Sequence, residues 1–222
     1  MKKYVTSVPV ALTLMASLVA CQKRSNKNPI ENAREAISDI DLQSKSFVGD
    51  CSIDLGDALV SFVASSGKYS VKSSRDEFQF VGANLTRTTR IYESADCTGQ
   101  DALMYKETGA FHVDPDKRAE DQSKFIDITY DRLSLIAQSE FGVQLANDIK
   151  ICGREDWSVG KEIEVTARSE DVSCYRKKLP SKEADVYRLE KDNLYFGERD
   201  SLLKNLESRP TRVDLKTKYS VK

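Results

Sequence analysis

From residue 45 onward, apolar and polar residues alternate in short runs broken by turn-forming residues. Alternation sends successive side chains to opposite faces of an extended chain, so each run predicts a strand with one dry face and one wet face. Residues 45–53 (KSFVGDCSI) read as a first strand. Residues 77–81 and 85–92 read as two more, joined through Gly82-Ala83-Asn84. Residues 103–113 follow, interrupted at Gly109, where a bulge or bend is natural. Over 125–135, Ile126, Ile128 and Tyr130 oppose Asp127, Thr129 and Asp131. Residues 162–168 alternate most cleanly, with Ile163, Val165 and Ala167 on one face and Glu162, Glu164 and Thr166 on the other. Residues 186–190 and 194–197 flank Lys191-Asp192-Asn193, a three-residue hairpin loop, and a last short strand falls at 212–215.

Two segments carry a helical period instead. Phe141, Leu145 and Ile149 recur every four residues after Ser139, a natural N-cap, with Gly153 as a stop. Asn28-Pro29-Ile30-Glu31 supplies a cap, a first-turn proline and a glutamate at N3. Ile30, Ala33, Ile37 and Ile40 then recur at helical spacing. The sum is an all-β, mainly antiparallel domain over 45–222: a small barrel of about eight strands with one or two short helices.

The start of the chain follows another pattern. Met1-Lys2-Lys3 is basic, and residues 5–20 are uncharged and apolar or small. That run falls short of the roughly 20 apolar residues of a membrane span and fits a secretory signal segment. It ends Leu18-Val19-Ala20-Cys21, which resembles a bacterial lipobox. The resemblance implies cleavage before Cys21, lipid on its thiol and acylation of the new amino terminus. Several acyl chains make such an anchor durable. Gln22 stands where an aspartate would resemble an inner-membrane retention signal, so an outer-membrane address facing the periplasm is expected. Residues 21–44 then form the lipidated cysteine and a polar tether.

Charge excludes one class of partner. The formal net charge is -1, with 34 basic and 35 acidic residues, and no basic stretch marks a nucleic-acid surface. Cysteine usage points to an exported chain. Cys51, Cys97, Cys152 and Cys174 lack the close pairs of a zinc site, and an even number in an oxidising compartment reads as two disulfides. Four cysteines allow three pairings that spacing alone does not decide. The pairing favoured is Cys51–Cys97 with Cys152–Cys174.

Residues 45–222 also resemble bacterial lipoproteins with a lipocalin-like (calycin) barrel. The likeness rests on Cys152-Gly153-Arg154-Glu155-Asp156-Trp157-Ser158-Val159-Gly160 and the Ile163-Glu164-Val165-Thr166 run after it. Leu194-Tyr195-Phe196-Gly197 and the closing Arg209-Pro210, Asp214 and Tyr219 continue it. Phe47-Val48-Gly49 stands where true lipocalins carry Gly-x-Trp, which weakens any transfer of ligand class. The resemblance implies a closed or nearly closed barrel whose interior holds one small apolar or amphipathic ligand or is filled by its own side chains. In the first case Tyr105, Phe111, Ile128, Tyr130, Tyr187 and Tyr195 are the expected lining, with Trp157 near the mouth. In the second, an outer face binds an envelope protein, and Trp157 packs on a disulfide. Ser65-Ser66-Gly67-Lys68-Tyr69 resembles a loop of lipoprotein lysozyme inhibitors, which are much shorter chains.

Catalytic chemistry has little to stand on. His112 is the single histidine, it sits in a strand-like stretch, and no GxSxG turn is present. Acid pairs such as Glu155 with Asp156 are sequence neighbours, whereas glycosidic cleavage needs two carboxyls placed across a cleft. Asp114, Asp116, Glu120 and Asp121 lack the layout of a calcium loop. The expectation is a non-enzymatic module with no cofactor and no metal.

Overall fold

The computed structural model describes residues 41–53, 63, 70–199 and 208–222. The expected signal segment, Cys21, the tether helix and the Ser65–Tyr69 loop lie outside these residues. Nine strands follow one another: β1 (Ser46–Gly49), β2 (Ser73–Val81), β3 (Asn84–Tyr92), β4 (Leu103–Arg118), β5 (Lys124–Ala137), β6 (Glu162–Glu164), β7 (Ser181–Glu190), β8 (Asn193–Gly197) and β9 (Val213–Val221). All named pairings are antiparallel, and β1 pairs with both β2 and β9, Phe47 lying opposite Phe78 and Val221. The ring β1-β2-β3-β4-β5-β7-β8-β9 therefore closes as an eight-stranded barrel. Closure leaves no open edge within the ring itself. β6 is a patch outside the ring: residues 124–130 of β5 pair with β7, and residues 134–136 pair with β6.

The bulge expected at Gly109 is present, with its extra residue on the opposing strand. Thr108 pairs with Arg132 and Gly109 with Tyr130, so Asp131 has no partner across the ladder. One extra residue inverts the phase of a strand. The inward positions of β5 accordingly run Ile126, Ile128, Tyr130 and then Leu133, Leu135, Ala137, while Ser134 and Ile136 are buried too, where β6 pairs with the strand. A Cβ on Gly109 would lie 1.9 Å from the Thr129 carbonyl oxygen, so glycine alone lets the strands approach this closely.

Three expectations are corrected. The clean alternation at 162–168 is strand only over Glu162–Glu164, because the backbone turns at Val165 and residues Thr166–Arg168 form one 3-10 turn. Ile163 and Val165 are still buried, and the Thr166 hydroxyl accepts the Leu133 N–H at 3.0 Å, replacing a ladder bond. The loop between β7 and β8 has two residues rather than three, since Asn193 already pairs with Glu190 and Lys191 takes the left-handed conformation. The last strand spans Val213–Val221, well past the expected four residues. Partners on both sides, β8 and β1, hold this segment extended despite its weak alternation.

One helix is described, α1 (Glu140–Asp148), capped by Ser139, whose hydroxyl accepts the Gly142 N–H at 3.0 Å. Leu145 and Ala146 of α1 are buried against an apolar cluster at one end of the barrel, with Ile91, Leu103, Tyr105, Leu133 and Leu135 from the wall. A second cluster fills the other end with Leu42, Phe47, Phe80, Leu85, Phe111, Val113, Ile126 and Leu194. Burying each such side chain is worth about 1.5–3 kcal/mol. The disulfides are Cys51–Cys97 and Cys152–Cys174, the favoured pairing. The first fastens the segment after β1 to the β3–β4 connection, and the second closes the loop that carries β6.

Candidate functional site

Not all inward positions are apolar. Asp76 on β2, Arg87 on β3 and Glu107 on β4 are brought together by strand register, since Glu107 lies opposite Arg87. Arg87 pairs with Asp76 at 2.8 Å and with Glu107 at 3.5 Å. Thr89 donates to the other Asp76 oxygen, and Lys177 reaches the fully buried Glu107 carboxylate at 3.6 Å. Burial alone would lower the Arg87 pKa, yet the two carboxylates hold it well above the usual value. The same ammonium of Lys177 lies 5.0 Å from the Tyr130 ring centroid, within cation–π range. The network therefore spans four strands and a loop with its charges matched.

A second charged group lies on β7. Asp185 accepts the backbone N–H groups of Val186 and Gly197 at 2.7 and 3.0 Å, and its other oxygen meets Arg199 at 3.3 Å. Arg199 also meets Glu183 at 3.7 Å. Gly197 makes this possible, because a Cβ there would lie 2.4 Å from an Asp185 carboxylate oxygen. Burial lifts the Asp185 carboxyl from 3.8 to about 6, against the opposing pull of Arg199.

Between the two groups the barrel holds a cavity of about 400 Å³. Its apolar wall is Phe78, Ile128, Tyr130, Phe196 and Tyr219. Phe78 stands 4.9 Å, centroid to centroid, from both Phe196 and Tyr219, so three rings from β2, β8 and β9 form one continuous surface. Its polar side is Arg87, Glu183, Asp185, Arg199, Asp214 and Thr217. Burial raises the Tyr130 and Tyr219 hydroxyl pKa values, so both rings stay neutral at ordinary pH.

The expected lining residues separate into three environments. Ile128 and Tyr130 line the cavity. Phe111 and Tyr187 belong to the same apolar cluster as these two without lining the space, and Tyr105 lies in the cluster under α1, its ring 5.7 Å from that of Tyr175. Trp157 is buried in that cluster with Cys152 and Cys174 and is not part of the cavity lining. Tyr195 lies on the outer face, packed with Ala119, Val186 and Val213, because it follows inward Leu194 by one residue. Period 2 thus moves it to the wrong side of the wall.

Phe78, Arg87, Glu183, Asp185, Phe196, Arg199, Asp214, Thr217 and Tyr219 escaped the sequence reading as lining residues. Alternation treats polar positions as outward, so the strand expected over 186–190 omits residues 181–185, which the structure adds to β7, Glu183 and Asp185 among them. Only their two-residue spacing from buried Tyr187 signals that they share its face.

His112 is exposed on the outer face of β4, opposite Asp127. Asp114 is spent on a turn, accepting the Asp116 and Lys117 N–H groups, and Asp121 accepts the Val213 N–H and pairs with Arg188. Among the described residues no three histidine, cysteine or acidic side chains converge as metal ligands.

These observations define a class: a closed antiparallel β-barrel with a cavity, open to solvent, that is lined by aromatic and charged side chains. No protein-family model and no curated protein matches the chain.

Proposed function

We propose that this protein is a lipid-anchored binding module of the bacterial envelope, with a lipocalin-like barrel that holds one small amphipathic molecule. The observation that carries the reading is the cavity, whose volume of about 400 Å³ falls in the range of small-molecule sites. Its aromatic wall suits an apolar body, and its charged side suits a polar head. The lining expected from the sequence named no charged residue, and the charged side is added by Arg87, Glu183, Asp185, Arg199 and Asp214. The two disulfides fit an oxidising compartment, and the Leu18–Cys21 stretch supplies the anchor in this reading. The rival reading, a filled barrel acting through its surface, needs an extended exposed apolar patch. Among the described residues the exposed large apolar side chains, Ile53, Val81, Val159, Val172, Leu215 and Val221, come from five separate segments of the chain.

Native mass spectrometry of the soluble body (residues 22–222), purified from periplasm, tests the proposal. The expected result is an added mass of roughly a few hundred daltons, the size such a cavity accepts, which disappears on denaturation. A bare mass with both disulfides closed, unchanged after incubation with an envelope lipid extract, would overturn it.

A further inference from the structure

We propose that the molecule this cavity takes is an amphipathic cation, an amine or related head on an apolar, preferably aromatic, body. The inference rests on the binding-module reading and adds the sign of the ligand's charge.

Two arginines line the cavity, and neither is available to an anion. Arg87 is engaged by Asp76 and Glu107. Arg199 is engaged by Glu183 and Asp185, and it donates to the carbonyl oxygens of Ala184 and Ser208 at 2.7 and 3.1 Å. Each guanidinium already faces two carboxylates, so its charge is met within the protein before any ligand arrives. The carboxylates are in the opposite position. Three of them, Glu183, Asp185 and Asp214, line the cavity against the two arginines, so its lining carries a negative excess. Asp214 makes no ion pair among the described residues; its oxygens accept only the Lys216 N–H and the Thr217 hydroxyl, at 2.9 and 2.8 Å. A bound ammonium would complete that deficit. The wall of Phe78, Phe196 and Tyr219 favours the same sign, because aromatic faces attract cations and repel anions.

An isosteric series separates charge from shape: 6-phenylhexylamine, 6-phenylhexanol and 6-phenylhexanoate, titrated calorimetrically into the whole lipidated chain in nanodiscs, with empty discs as blank. The amine is expected to bind one site at least about tenfold more tightly than the alcohol, the effect of one partly screened charge pair, and the acid most weakly. Asp214→Asn should remove most of the amine's advantage and leave the alcohol unchanged. The advantage should also shrink from pH 7.5 to pH 5, as Asp185 takes up a proton near pH 6. Around Asp185, the charged groups are Glu183 on its own strand, Arg199 after β8, Asp214 on β9, and Arg209, which holds the Asp185 carbonyl and Asp127 on β5. The arginines keep their charge throughout that range.

Equal affinity for the three probes, or tightest binding of the acid, overturns the cationic assignment and leaves the cavity reading standing. Failure of all three to bind overturns it as well, and together with a bare native mass it removes the cavity reading too.

Discussion

Asp185 shows how much one inward carboxylate alters the protein. Its pKa of about 6, against an ordinary 3.8, means that the folded state binds more protons than the unfolded state between those values. Stability from this group is therefore full below about pH 4 and lost as pH rises through 6. Urea unfolding should find the protein more stable at pH 5 than at pH 7 by about 1 kcal/mol from this source. Asp185→Asn should flatten that slope, and a slope unchanged in the variant would place its origin elsewhere. Residues of this kind were the least legible in the sequence. An aspartate inside a barrel and one in a surface loop are the same letter, and only the Val186 and Gly197 N–H groups and Arg199 decide which it is. Ile128 and Tyr130, by contrast, were legible because apolar side chains on alternate positions have one sensible direction to face.

At the scale of elements, local signals and long-range constraints contributed unequally. Helix α1 was readable from Ser139 and a four-residue apolar period, both local features. The hairpin of β2 and β3 was readable from its turn, Gly82 taking a positive φ. The fate of 162–168 was not, because the Cys152–Cys174 bridge and the Thr166–Leu133 bond bend a segment whose pattern alone reads as strand. That bridge closes a span of 22 residues, for which chain entropy gives about 3 kcal/mol. Replacing Cys152 and Cys174 together by Ala should lower unfolding stability by about that amount. Trp157, the single tryptophan, packs in the same cluster, so its fluorescence in the folded variant should shift to the red. Unaltered emission with unaltered stability would show that the bridge constrains nothing.

For the whole molecule, the proposed anchor and the barrel make separable predictions. Cys21→Ser should move the protein from the membrane to the soluble fraction of the envelope and abolish incorporation of labelled palmitate, leaving the disulfides and barrel intact. Persisting palmitate incorporation in the variant would refute lipid attachment at that residue. The all-β class, most strand positions, the capped helix and the cysteines available for bridging were legible along the chain. Each of these follows from the polarity or chemistry of residues close together along the chain. Tertiary structure alone decided the closure of β1 onto β9, the inverted phase after Asp131, and the cavity with its charged side. Phe47 meets Val221 and Lys177 meets Glu107 across long stretches of chain, and no local pattern encodes which distant strand supplies the partner that makes a buried charge tolerable.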